Sequence, residues 1–273
     1  MAVGLKKLVL AAVGALAVLG AGAAQAAQCG NGAAGFPAWL EEFKAEAQGN
    51  GIRASTLNSA LNGVTYDKKV IQLDRNQHSF KLSLEQFMAR RAPPSYISKA
   101  KSVMRSNAAL LSKIEARYGV QPEVLVAIWG METGFGANSG NMPVIRSLAT
   151  LAYDCRRSDF FEEELYAALQ IVQRGDKSPA QMRGAWAGEL GQTQFLAKNY
   201  LKYGVDFDGN GRVDLISSKA DVLASTANFL RAHGWSAGGG YGPGETNYGV
   251  FNDWNRATVY QKALSLFASK IAN

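Results

Sequence analysis

The residue with the most chemical promise is Glu132, at the end of the stretch QPEVLVAIWGMETGFG over 121–136. Pro122 suits the first position of a helix, where the N–H it lacks would be unpaired anyway, and Glu123 is favourable in the same turn. Val124, Leu125, Ala127, Ile128, Trp129 and Met131 make the helix apolar on nearly every side, which predicts a buried helix. Gly134 and Gly136 stop it just after Glu132. A carboxyl placed there loses hydration and faces the negative end of the helix dipole. Both effects disfavour the anion and raise its pKa. That is the setting of a general acid, which must keep its proton near neutral pH and deliver it to a leaving oxygen. On this stretch alone, a lone Glu at a helix end is more often a surface carboxylate or an ion-pair partner.

A second stretch, RGAWAGELGQTQFLAKNY over 183–200, places Gly188 and Gly191 around Glu189, with Gln192, Gln194 and Phe195 following. Amides beside aromatics in a glycine-containing turn suit hydrogen bonding and stacking on sugars. A tight helix–helix contact with solvent-facing amides fits the same residues. A third stretch is DFDGNGRVD. Asp206, Asp208, Asn210, Arg212 (through its backbone carbonyl) and Asp214 occupy positions one, three, five, seven and nine of an EF-hand-like calcium loop, with Gly211 at six. Position twelve is Ser217 instead of a bidentate Glu, and Asp221 is the candidate substitute. A degenerate calcium site and an Asx-turn loop held by its own hydrogen bonds are both open. The two histidines, His78 and His233, lie far apart without a Cys/His ligand pattern, so zinc chemistry and a Ser-His triad find little support.

The elements that must position these residues are mainly helical. Helical spacing is expected over 36–48, over 55–61 with Ser55 or Thr56 as cap, over 84–92 and over 95–118, with Pro93-Pro94 as a breaker. Residues 67–73 are expected to be an extended or irregular connection and 138–146 a site-building loop. A helix over 159–173 should turn Phe160, Phe161, Leu165, Leu169 and Val172 inward and open on a solvated Glu162–Glu164 turn. Further helices are expected over 220–233 and 258–271, separated by a flexible loop over 238–244 that carries Tyr241. The first half thus forms a helical lobe against the Glu132 helix.

At 273 residues and 47% hydrophobic content, the chain can bury one large core or two intimate lobes. Charged residues make up only 19%, and no solenoid repeat is present, which excludes disorder and repeat architectures for the body. Lys6 and Lys7 precede an apolar run over 8–24, and Ala24-Gln25-Ala26 fits a small-x-small cleavage pattern. The expectation is a signal peptide cut after Ala26, export to the periplasm and no stable membrane insertion afterwards. A retained anchor or a lipidated Cys29 is the competing reading. In an oxidising compartment the two cysteines, Cys29 and Cys155, are expected to form one disulfide, two buried free thiols being the alternative. The formal charge of +7 would fall to +5 on removal of residues 1–26, which hold two lysines and no acids. For an exported chain an anionic envelope polymer is the better partner than nucleic acid, although a solvated basic surface accounts for the charge equally well.

Taken in order, Trp129-Gly-Met-Glu132-Thr-Gly-Phe-Gly136, Gly188-x-x-Gly191-Gln-Thr-Gln194-Phe195, the 206–214 loop, Ala232-His-Gly-Trp235 and Trp254-Asn255 resemble the lytic murein transglycosylases of the membrane-bound B type, glycoside hydrolase family 103. The resemblance spans residues 36–268. It implies a lysozyme-like helical catalytic core over 119–273, an N-terminal helical lobe over 27–118 and a small loop/β element. It implies action on peptidoglycan glycan strands by a monomer that needs no cofactor beyond an optional structural calcium. Glu132 would be the sole catalytic carboxylate, protonating the oxygen between N-acetylmuramic acid and N-acetylglucosamine and then activating the muramoyl carbon-six hydroxyl to close a 1,6-anhydro ring. The substrate's acetamido group would take the place of a protein nucleophile, a recognised exception to the two-carboxylate pattern. Gly191, Gln192, Gln194 and Phe195 would line the sugar sites, and Trp254, Asn255 and Tyr260 would close the cleft. The chain departs from the pattern at Ala185, where a helper Ser is common, at Ala197-Lys198, in place of Pro-Ser, and at Trp254, often Tyr. The connection from Trp235 to Trp254 is also short. The rival readings are a lysozyme-like hydrolase using Glu189 as second carboxylate and a non-catalytic peptidoglycan-binding protein.

Overall fold

The computed structural model describes residues 27–76 and 82–273. The expected signal peptide (residues 1–26) and His78 lie outside the described residues. Proline or a short polar cap starts several of the helices. Pro37 sits in the first turn of α1 (Phe36–Gly49), whose Phe36, Trp39, Leu40, Phe43 and Ala47 are buried at helical spacing. In α2 (Ala54–Leu61) the cap position is Arg53, without a side-chain cap bond, so Ser55 and Thr56 lie inside the helix instead of capping it. Residues 67–73, expected to be an extended or irregular connection, instead cap and open α3 (Lys68–Arg75), because the Asp67 carboxylate accepts from the N–H groups of Lys69 and Val70. Ser83 and Gln86 form a capping box on α4 (Leu84–Arg91). The expected helical run over 95–118 is divided at Asn107 into α5 (Pro94–Ser106) and α6 (Ala108–Tyr118).

The apolar helix is α7 (Pro122–Thr133), with Val124 to Met131 all buried. It is wrapped by α4, α5 and α6, by α11 (Lys219–Ala232) and by α13 (Thr258–Ala272). Its all-round hydrophobicity is therefore a packing requirement, each buried Val, Leu or Ile contributing about 1.5–3 kcal/mol. A central aspartate at Val126 would lack any compensating partner there.

The expected loop over 138–146 ends in a two-residue strand, β1 (Met142–Pro143), which pairs antiparallel with β2 (Arg183–Gly184). A helix absent from the sequence reading follows at once: α8 (Val144–Tyr153). It packs along α9 (Ser158–Arg174). Cys155, in the turn between them, is bonded to Cys29 with Cα atoms 5.0 Å apart. Beside that bond, buried Asp74 accepts from Arg75, Arg156 and Arg157, while Arg75 also bridges to Asp154 at 2.7 Å. Burial alone would raise the Asp74 carboxyl, but the hydrogen bonds and charges of Arg156 and Arg157 outweigh it and hold the group below the usual carboxylate range. This network ties the otherwise polar α3 to the α8–α9 turn.

Two expectations about α9 are corrected. Phe160 is 43% exposed, and Glu164 is buried, because its Oε2 accepts at 3.0 Å from the Lys198 N–H at the start of α10 (Ala197–Tyr203). Glu164 thus caps a helix whose own Leu196-Ala197-Lys198 start offers no capping side chain. The short α12 (Phe251–Trp254) precedes α13. The 238–244 segment is tied down by Asn247, which donates to Gly239 O at 2.8 Å, and by Tyr241, which donates to Glu123 at 3.1 Å. Mainly helical architecture with one small two-stranded element is what the structure presents. No helix among the described residues is long and apolar enough to cross a membrane.

Candidate active site

Glu132 occupies the last turn of α7. Gly134 ends the helix in the left-handed conformation (φ 63°), which lets its N–H reach Gly130 O at 2.9 Å and the Phe135 N–H reach Trp129 O at 3.2 Å. The end is then locked to the glycine turn of the second motif. Thr133 Oγ1 donates to Gln192 O at 2.6 Å, and Trp129 Nε1 donates to Gln192 Oε1 at 2.9 Å. Gly191 is required there, since a Cβ would stand 2.2 Å from Leu215 O.

Two donors from the C-terminal part of the chain converge on one oxygen of Glu132. Tyr260 OH donates to Oε1 at 2.5 Å and Trp254 Nε1 at 3.1 Å, with Trp254 Nε1 also 3.2 Å from Tyr260 OH. Burial raises the Glu132 carboxyl above the ordinary range. The hydrogen bonds from Tyr260 and Trp254 and the charge of Arg91 oppose that rise, and Glu189 adds to it. Burial dominates, as the sequence reading expects of a general acid. Tyr260 is itself held far from ionisation by burial and by the neighbouring carboxyl, so it stays a neutral phenol that donates to Glu132 while accepting from Trp254.

Glu132 opens onto a groove of about 410 Å³ whose walls include Arg91, Arg157, Phe160, Ala185, Trp186, Glu189, Gln194, Phe195, Asn199, Trp254 and Asn255. A smaller recess of about 210 Å³ behind it is bounded by Phe87, Arg91, Met131, Asn255, Val259 and Tyr260. The structure therefore brings Glu132, Gln194, Phe195, Trp254, Asn255 and Tyr260 together. It places Gly191 and Gln192 beneath the groove instead of on its wall: the Gln192 amide is buried, accepting from Trp129 and donating to Ile216 O at 2.9 Å. Gln194 reaches the wall through a left-handed backbone (φ 56°), a conformation that costs a non-glycine residue about 1–3 kcal/mol. Its Nε2 donates to Ser139 O and Gly191 O, so the strain holds its side chain against the groove. Trp254 is packed edge-on against Phe195 and Phe229, with centroids 5.5 and 5.1 Å away. Ala185 is on the wall without a hydroxyl, and Glu189 Oε2 is buried with no partner; its carboxyl is pushed up by burial. Arg91, Phe160, Trp186 and Asn199 are groove residues that the sequence reading missed; they arrive from four separate elements and carry no local signature.

The candidate calcium loop lies away from this groove. One carboxylate oxygen each from Asp206, Asp208 and Asp221 lies within 4.8 Å of the others. Asp221, buried, accepts from the N–H groups of Phe207, Asp208 and Asp214. Asp206 accepts from Gly209, Asn210 and Gly211, so the loop is also a set of Asx turns. Asp214 is turned away to Lys177, 2.6 Å distant, and Asn210 Oδ1 accepts from Arg212 N–H. The oxygen-only donor set of Asp206, Asp208 and Asp221 fits a hard cation, whereas Asp214 is engaged with its own counter-ion.

Comparison with known proteins agrees with this architecture. The family model "Transglycosylase SLT domain" matches residues 35–244. The chain belongs to that transglycosylase SLT domain family. It is similar to the membrane-bound lytic murein transglycosylase B of Escherichia coli (strain K12), 38% identical over 122 residues, 44% of this chain; it spans about a third (34%) of the length of that relative. Its fold matches Pseudomonas aeruginosa SltB3, solved with NAG-anhNAM-pentapeptide, at TM-score 0.83 and 32% identity, covering 87% of this chain and 80% of that one. It also matches the fold of Escherichia coli Slt35, solved with calcium, at TM-score 0.75 and 22% identity, covering 90% and 96% of the two chains.

Proposed function

We propose that this chain is a lytic transglycosylase that cuts peptidoglycan glycan strands between N-acetylmuramic acid and N-acetylglucosamine without consuming water. The observation that carries the reading is the Glu132 carboxyl, desolvated at the floor of a groove and oriented through one oxygen by Tyr260 and Trp254. Glu132 gives its proton to the glycosidic oxygen, and the glycosidic bond breaks as the substrate's acetamido group steadies the positive charge at the anomeric carbon. The ionised Glu132 then receives the proton of the carbon-six hydroxyl, whose oxygen bonds to the anomeric carbon. Glu132 ends the cycle protonated, and atoms balance with a 1,6-anhydro end. The attacking hydroxyl belongs to the reacting ring, so proximity favours this closure over attack by water. Gln194, Phe195, Trp254 and Asn255 hold the sugars. Clearing of a purified peptidoglycan suspension tests activity: it should proceed with the wild type and stop with Glu132→Gln.

A second reading, hydrolysis with Glu189 as base, draws on the buried Glu189 Oε2, which has no hydrogen-bond partner, in the same groove. It predicts near-complete loss in Glu189→Gln, which the first reading does not. The leader over 1–26 is proposed to export the chain and to be cut after Ala26, leaving a monomer in the periplasm. A structural calcium ion is proposed at Asp206, Asp208 and Asp221, with the Asn210 side chain and the Arg212 carbonyl completing the donors; the ion would brace the loop and take no part in the reaction. Millimolar calcium should raise the melting temperature of chelator-treated protein, and Asp208→Asn should lose that response.

A further inference from the structure

Ala27 is buried (8% exposed), and its backbone nitrogen lies 3.2 Å from Glu46 Oε2. The chain just after this contact is fixed in place. Cys29 is bonded to Cys155, and the Gly30 N–H reaches Tyr153 O at 2.8 Å. Around Glu46 the charge is one-sided. Glu46 projects from α1, half-buried, and its Oε1 accepts from Tyr166 OH, which in turn accepts from the Asn50 amide. Glu162 faces it from α9, with exposed Asp159 next to Glu162 on the same helix, and burial together with the charges of Glu46 and Asp159 pushes the Glu162 carboxyl up to about 7. Among the described residues no Lys or Arg forms an ion pair with Glu46, Asp159 or Glu162. A backbone amide offers this site one N–H and no charge.

We infer that Glu46, with Glu162 beside it, is a receptor for the α-ammonium of Ala27 set free by cleavage after Ala26. The inference rests on the export reading above. Hydrolysis of the Ala26–Ala27 bond consumes one water, gives Ala26 a carboxylate and turns the Ala27 amide into an ammonium with three N–H donors and a positive charge. That group then stands where the amide N–H stood, against a carboxylate cluster that lacks a cation, and joins α1 to α9 through it. One extra residue before Ala27 would carry the ammonium about 3.5 Å further along the chain and off the carboxylate. The precursor and the mature chain thus differ by an ion pair, and processing completes the packing of the N-terminal segment.

The test uses the full chain, expressed in a host that exports it and purified from the envelope. Intact mass gives the start of the mature chain. Brief acetylation at pH 7, read by peptide mass spectrometry, gives the reactivity of its α-amine. The inference expects a start at Ala27 and an amine acetylated about tenfold more slowly than in Glu46→Gln, because an ion pair that raises its pKa by one unit reduces the reactive neutral amine tenfold. Glu162→Gln should speed acetylation by a smaller factor, and it serves as the probe should Glu46→Gln fail to fold. A mature chain starting elsewhere overturns both the cleavage site and the receptor. A start at Ala27 with equal rates in the wild type and the variants overturns the receptor alone.

Discussion

Tyr260→Phe isolates the hydrogen bond that orients Glu132. The ring stays, including its edge-on contact with Phe87 at 6.2 Å, while the donor 2.5 Å from Glu132 Oε1 disappears. That donor favours the ionised carboxylate, so its loss must raise the Glu132 pKa further. A hydrogen bond to a charged group contributes about 1.5–3 kcal/mol. At about 1.4 kcal/mol per unit, this corresponds to a rise of about one to two pH units. Trp254 Nε1 still donates to Oε1, which places the expectation near the lower end. Because Glu132 must begin the cycle protonated, activity falls as pH rises through its pKa, and the alkaline limb of kcat/KM should move up by that amount. The assay is initial-rate release of soluble muropeptides over pH 5–10. An unmoved or downward-shifted alkaline limb would refute the assignment of Glu132 as the acid and of Tyr260 as the donor that tunes it.

Other predictions follow from the same physical terms. Glu132→Gln should abolish activity yet stabilise the fold. A carboxyl whose folded-state pKa is raised binds its proton more tightly in the native state, so its penalty is absent below its unfolded pKa, grows as pH rises towards the folded pKa and is full above it. The melting-temperature gain of the Gln variant should therefore open as pH rises above the usual carboxylate range and vanish below it. Glu189→Gln should retain at least about a tenth of wild-type kcat, a loss of no more than about 1.4 kcal/mol in barrier height. Asp74→Asn should cost about 3 kcal/mol in urea unfolding at pH 7, since three guanidiniums lose their shared anion. Asp74 has a depressed pKa, so that difference should close as pH falls below the usual carboxylate range. Reduction of Cys29–Cys155, which closes a separation of 126 residues, should lower unfolding stability by about 2–4 kcal/mol, seen as a lower urea midpoint in dithiothreitol.

The Glu132 helix was legible because its determinants are local: Pro122 starts it, an apolar ring buries it and Gly134 ends it. The motifs that meet at the groove, around Glu132, over 188–195 and at Trp254-Asn255, were equally readable as patterns, but the placement of their side chains was not. Gln192 and Gln194 look alike in sequence, and only the fold turns one down onto Trp129 and the other along the groove. The α3 helix escaped because it has few buried residues, Val70 and Asp74, and owes its place to an Asp67 cap and to arginines about eighty residues away. The α8 helix escaped although Val144, Ile145, Leu148, Leu151 and Ala152 recur at helical spacing, because it begins inside the 138–146 stretch whose Gly, Asn and Pro content reads as a loop. Phe160 fitted the inward pattern of α9 but sits in the first turn, where the groove takes the place of a core. Arg91 and Asn199 reach the groove only through long-range packing, which residue spacing does not encode.

The central claim, that Glu132 drives ring closure without water, is tested most directly by the mass of the products. Purified peptidoglycan is digested with the protein, beside a Glu132→Gln control, and the soluble muropeptides are weighed. The account predicts products one water lighter than hydrolytic muropeptides, absent from the control. Full-mass reducing ends made by the wild type would contradict it and move the chemistry to hydrolysis with Glu189.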